Sequence, residues 1–194
     1  LTALARGKVG RDPEPTACVI DTQSVKTSTN APLATQGIDA GKKIVGRKRG
    51  IVTDALGLLL AVVVTAASTS DNTTGTHLLN QAKAAYPTIT KTWVDAGFKN
   101  AVIEHGATLG INVEVVTKDT QVKGFSIVKR RWIVERTLGW IMLHRRLARD
   151  YETHPHHSTA MIHIAMIDNL ARRVTDETTP TWRDPYDPEI SQTT

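Results

Sequence analysis

The chain has 194 residues, 40% of them hydrophobic and 22% charged, with a formal net charge of +5 and a single cysteine. That length supports one domain with a real core rather than two, and one cysteine excludes an intramolecular disulfide framework or a cysteine-based zinc site. The longest apolar stretch, ALGLLLAVVVTAA at 55–67, falls short of the roughly 20 residues that cross a bilayer, and the first ten residues lack the apolar centre of a signal peptide.

Residues 1–15, ending in RDPEPT, read as a linker. ACVIDTQSV at 17–25 is a short apolar run that turns polar at Asp21, the pattern of a buried strand with an acid at its end. A loop rich in Gly, Ser, Thr and Asn covers 28–41. The stretch 42–68 predicts two long strands joined at DALG, a hairpin with a turn signal. SDNTTG at 70–75 supplies helix caps, and the helix runs on until Pro87. TKTWVDAGF at 90–98 is a second short apolar run leading to an acid, Asp95. A helix fits 99–108, a strand 111–117, a helix from about 126 through 148, and another 158–174. The Pro-rich, acidic segment 175–194 predicts a disordered tail. Three antiparallel strands followed by alternating helices and strands imply an α/β domain over 16–174, a mixed sheet flanked by helices.

Charge is unevenly spread. KKIVGRKR at 42–49 holds five basic side chains (Lys42, Lys43, Arg47, Lys48 and Arg49) and no acid. Residues 123–149 hold eight more, among them Lys129, Arg130, Arg131, Arg136, Arg145 and Arg146, with Glu135 as the one acid. Basic blocks on an otherwise balanced domain point to a polyanionic partner, against the plainer reading of solvated faces.

Asp21 and Asp95 each end a short hydrophobic strand, where catalytic groups collect in open α/β sheets. Two acids brought together there repel unless a cation lies between them, and magnesium prefers such hard oxygen ligands. The plainer role for either acid alone is a turn cap. Glu135 stands four residues after Arg131, so the two are neighbours on one helical face. They fit an ordinary surface pair, or an acid completing a metal site beside arginines that hold phosphates.

Four segments in order decide between these alternatives. CVIDTQSVKT around Asp21, GIDAGKKIVGRKRGIVTDALGLLL at 37–60, WVDAGFKN around Asp95 and RRWIVERTLGWIMLHRRLARDYE at 130–152 resemble the motifs of bacterial insertion-sequence transposases of the DDE class. The match is closest to the group named after insertion sequence five, over residues 8 to 173. The resemblance implies a ribonuclease H-like fold with Asp21, Asp95 and Glu135 as catalytic residues holding two magnesium or manganese ions. It further implies double-stranded DNA (element ends and target) as partner, a homodimer on that DNA, and a place in the bacterial cytoplasm at the nucleoid. The activity implied is metal-dependent strand cleavage and strand transfer; the alternatives are a hydrolysis-only nuclease on the same fold or a truncated, inactive DNA-binding remnant. The wider signature has Tyr and Lys where this chain has Val128 and Met142. Relatives carry a further helical region ahead of the first aspartate motif, so a catalytic domain with its N-terminal region missing is expected.

The remaining features take plainer readings. His154, His156 and His157 are assigned to the loop that leads into the last helix, and His163 to the interior. Trp132 and Trp140 are expected to anchor the glutamate helix in the core, and Asp71 to cap a helix.

Overall fold

The computed structural model describes residues 1–117 and 130–177. Lys129, Val128 and the tail beyond residue 177 lie outside the described residues. Two strands, β1 (Ala17–Lys26) and β3 (Ile44–Asp54), form the antiparallel centre, in register from Cys18 opposite Asp54 to Lys26 opposite Gly46. A tight turn returns β3 into β4 (Leu59–Ala66), and the short β2 (Gly37–Asp39) continues that edge against the start of β3. On the other side of β1 come β5 (Lys91–Val94) and then β6 (Asn112–Val115), both parallel. Three long antiparallel strands with the short β2 beside them, followed by two parallel ones, is the ribonuclease H-like arrangement that the motifs implied.

Both faces of this sheet are covered, so its strands read as continuous apolar runs. Even-numbered β1 residues such as Cys18 and Ile20 pack with Val52 under α2 (Asp71–Ala85) and α3 (Asn100–Thr108). Odd-numbered Val19 packs with Ile51 under α4 (Arg131–Leu143) and α5 (Pro155–Thr175), against Val134, Leu138, Ile162 and Met166. No described helix is long and apolar enough to cross a membrane.

Several expectations need correction. Residues 1–15 are not all linker: α1 (Thr2–Lys8) packs on α5, and its Arg6 forms an ion pair with Asp54. Asp54 is fully buried at the β3–β4 turn, where its carboxylate also accepts the amides of Leu56 and Leu58. A buried acid there requires a cation, and the first turns of the chain supply it. The glutamate helix stops at Leu143, and a 3₁₀ turn (Arg145–Leu147) follows, so Arg146 and Arg149 do not extend the Glu135 face. The last helix starts three residues early, with His154 at its N-cap and Pro155 in its first turn, which preorganises the backbone. His154, His156 and His157 stack on one another at its start, and His163 is exposed rather than interior.

The basic block on β3 needs the largest correction. Arg47 and Arg49 are fully buried, and Lys48 nearly so, because β3 is a central strand with helices on both faces. Arg47 donates to Asp150 Oδ1 at 3.1 Å, Ser158 Oγ at 3.1 Å, Thr35 Oγ1 at 2.7 Å, and the carbonyls of Glu152 and Thr153 at 2.7 and 2.8 Å. Arg49 donates to the carbonyl of Leu147 at 2.6 Å, and Lys48 to Asp71 at 2.8 Å. These three side chains hold the interior together and are not a DNA surface.

Removing one partner of a buried pair strands the other charge, which costs about 3–5 kcal/mol. Asp150→Ala is expected to lower the unfolding free energy by that amount in urea denaturation, with the slope on denaturant unchanged. A loss below about 1 kcal/mol would mean that the carbonyl acceptors alone suffice for Arg47.

Candidate active site

Residues Ala17, Cys18 and Val19 of β1 pair with Lys91, Thr92 and Trp93 of β5 in parallel. The same offset, carried two positions further, sets Asp21 level with Asp95. Neighbouring strands lie about 4.8 Å apart. Alternation decides the face: Cys18 and Thr92 point towards α2, where their side chains share a hydrogen bond of 2.6 Å. Burial pushes the Cys18 thiol up to about 12, so it is an inert part of the core. Val19 and Trp93 point the other way, Asp21 follows Val19 in the same strand, and Asp95, just past β5, meets Arg131 of α4.

The two aspartates are held differently. Asp21 sits mid-strand, only 7% exposed, and its Oδ1 accepts the amide of Thr22 at 2.7 Å. Burial raises its pKa to about 6, against the Thr22 hydrogen bond; Asp95 and Glu135 add to the rise and Arg131 opposes it. Asp95 lies just past the end of β5, where its Oδ1 accepts the amide of Gly97 at 2.9 Å. The turn-cap reading of Asp95 therefore holds.

Glu135 reaches the same place from above. Val134, Leu138 and Ile141 bury one stripe of α4 in the core and leave Glu135 52% exposed at the margin. Arg131 Nε lies 3.0 Å from Glu135 Oε1, and its Nη2 lies 3.6 Å from Asp95 Oδ2. One guanidinium thus spans two of the three acids. No three His, Cys, Asp or Glu side chains among the described residues close around a metal-sized point. By donor chemistry alone, three carboxylates suit a hard divalent cation, and among the described residues the most buried of them, Asp21, has no cationic hydrogen-bond partner.

The other basic residues fall into separate groups. Lys42 and Lys43 are exposed, and Lys42 Nζ donates to the carbonyl of Thr22 at 3.4 Å, next to Asp21. Arg130 is exposed with its guanidinium 4.1 Å from the Trp93 ring centre. Arg145 and Arg146 are exposed on the 3₁₀ turn, Arg146 pairing with Glu152 at 2.9 Å. Arg136 lies between Trp132 and Trp140, at 4.4 and 4.6 Å, and donates to the carbonyl of Leu56. These tryptophans are therefore stacking partners for arginines at the surface, not anchors in the core; Trp132 is 41% exposed. From the sequence, Asp71 reads as a helix cap in preference to a part in a metal site. The cap is Ser70, and Asp71 instead accepts the Thr22 hydroxyl at 2.9 Å beside Lys48.

The raised pKa of Asp21 carries a pH dependence with a definite sign. Folding favours its protonated form, so the folded state bears no penalty below the ordinary value of 3.8 and the full penalty above about 6. Asp21→Asn removes that charge. In metal-free buffer it is expected to be more stable than the parent above pH 6, by up to about 3 kcal/mol, with the advantage fading to nothing by about pH 4. Urea unfolding across that range checks it; a difference independent of pH would show that Asp21 does not titrate as its surroundings dictate.

Among solved structures, the catalytic core domain of BIV integrase is similar to this chain at a TM-score of 0.48 and 13% identity, covering 79% of this chain and 82% of that one. No curated protein sequence matches it. The family model described as the transposase DDE domain matches residues 12–170, a span that contains Asp21, Asp95 and Glu135. The chain therefore belongs to the DDE transposase domain family.

Proposed function

We propose that this chain is the catalytic domain of a DNA transposase that cuts and joins strands at the ends of an insertion sequence, of the group named after insertion sequence five. The observation that supports the reading is the parallel β1–β5 register, which extended two positions brings Asp21 level with Asp95 just past β5, with Arg131 joining Asp95 to Glu135. Asp21, Asp95 and Glu135 are the residues that would hold two magnesium or manganese ions. Bound there, such ions supply activation of the attacking oxygen and stabilisation of the leaving oxygen in displacement at a phosphodiester.

The protein's own groups account for the rest. Arg131 occupies a cation's place between Asp95 and Glu135. Its release by competing cations makes a planar, two-pronged donor available to a phosphate at the same spot. Lys42 beside Thr22 and Arg130 over Trp93 are exposed cations next to the acids, and Lys43 adds a further exposed charge on the same turn as Lys42. Such groups position a backbone without reading bases. Two successive displacements follow from one site. Water replaces the 3′ oxygen at the element end, and the released 3′-hydroxyl then replaces a 3′ oxygen in target DNA, so each bond broken is matched by a bond formed.

Asp21→Asn, Asp95→Asn and Glu135→Gln are each expected to reduce magnesium-dependent cleavage of a labelled duplex to background while the fold survives. Any one retaining the parent rate would sink the three-acid reading. Joined products alongside cut ones distinguish strand transfer from hydrolysis alone.

DNA affinity should fall with salt at a log–log slope of about −0.9 per phosphate neutralised. Replacing Lys42 and Lys43 together by alanine should make that slope shallower by roughly 2, one for each phosphate that is no longer neutralised. An unchanged slope would place the DNA path elsewhere on the domain.

A further inference from the structure

We propose that the first turn of α2, through Asp71 and Asn72, is a clamp that sets the spacing of Asp21 and Asp95, with both side chains acting as positioning residues. The inference rests on the three-acid reading above and adds what holds the two aspartates in place. Adjacent side chains on this turn grip the two acid-bearing segments separately. Asp71 Oδ1 accepts the hydroxyl of Thr22 at 2.9 Å, and the Thr22 amide in turn holds Asp21 Oδ1 at 2.7 Å. Asn72 Oδ1 accepts the amide of Lys99 at 2.7 Å, closing the loop that begins at Asp95.

Both grips are reinforced. Lys48 Nζ donates to the same Asp71 oxygen at 2.8 Å and to the carbonyl of Thr69 at 2.6 Å, so β3 fixes the helix start. On the other side, Gly75 lets the helix press against the loop: a Cβ there would stand 2.7 Å from the Phe98 ring. Gly97 marks where the two halves meet. A Cβ on it would lie 3.0 Å from Asp95 Oδ1 and 3.3 Å from Asp71 Oδ2, so both carboxylates border one small gap. The parallel pairing of β1 with β5 ends at Val19 and Trp93, short of either acid. Past that point the sheet no longer sets their separation, and α2 ties the two segments together. Outer partners of this kind orient ligands, and their loss typically costs about 10–100-fold in metal affinity.

The test is calorimetric titration of the full chain with manganese alone, without DNA, next to an unfolding curve for each variant. Asp71→Ala and Asn72→Ala should each weaken manganese binding by about 10–100-fold in protein that remains folded. Asp71→Asn, whose amide oxygen still accepts from Thr22 and Lys48, should stay close to the parent. A purely structural role predicts lower unfolding midpoints with manganese affinity unchanged, and that result overturns the clamp. Should Asp71→Ala fail to fold, Asn72→Ala carries the test, since it deletes a single acceptor; parent-like affinity there overturns the proposal equally. Asp21→Asn separates the two levels. If it binds manganese like the parent, the three-acid site fails and the clamp with it. If it loses binding while Asp71→Ala and Asn72→Ala keep theirs, the clamp alone fails.

Discussion

The parallel pairing of β1 with β5 is the constraint on which the site depends. It covers only three residue pairs and ends two positions before either acid. It therefore brings Asp21 and Asp95 to the same end of neighbouring segments and leaves the gap between them to other contacts. Because β1 continues for ten residues and β5 for four, the two acids inherit different surroundings from the same ladder. One is locked in mid-strand and nearly dry; the other bends away into a turn. A site built this way combines a rigid reference point with a partner that has room to adjust, while α4 brings the third acid over both.

Inside the sheet, fixed charges take a part that a larger apolar core plays elsewhere. Arg6 meets Asp54, Arg47 meets Asp150, and Lys48 meets Asp71, each pair joining elements distant in sequence. Buried pairs of this kind add little net stability compared with apolar packing, but a misplaced element leaves a charge unmatched. They therefore act chiefly on which arrangement forms. The positive charge that remains at the surface is accordingly smaller than composition suggests, and part of it lies beside Asp21.

This distribution explains what the sequence could and could not show. The order of elements along the chain was largely legible because short apolar runs, a DALG turn and capped helical stretches punctuate it at regular intervals, whereas the three-residue β2 lay hidden in a stretch that reads as loop. Asp21 and Asp95 were legible as acids at strand ends, and Arg131 with Glu135 as helical neighbours. KKIVGRKR was misleading because five cations in eight residues look solvated, and the acids and carbonyls that bury three of them lie far along the chain or across the sheet. Asp71 was hidden for a similar reason: an acid in a first helical turn is favoured by the helix dipole alone, so nothing local reveals that it faces Thr22. The tryptophans misled through composition, since indole rings next to guanidinium groups are stable at a surface that their size would otherwise place inside.

The reach of Arg47 has a consequence for the order of events during synthesis. The β1–β3–β4 meander is complete once residue 66 has been made, and its contacts are local enough to form early. Its central arginine, however, finds Asp150 and Ser158 only after those distant residues have emerged. Until then a guanidinium sits on the open face of the nascent sheet, hydrated and unable to accept the covering helices without its acid. Closing that face is thereby coupled to the arrival of residues 150–158, since an arginine covered without its acid would leave a buried charge unmatched.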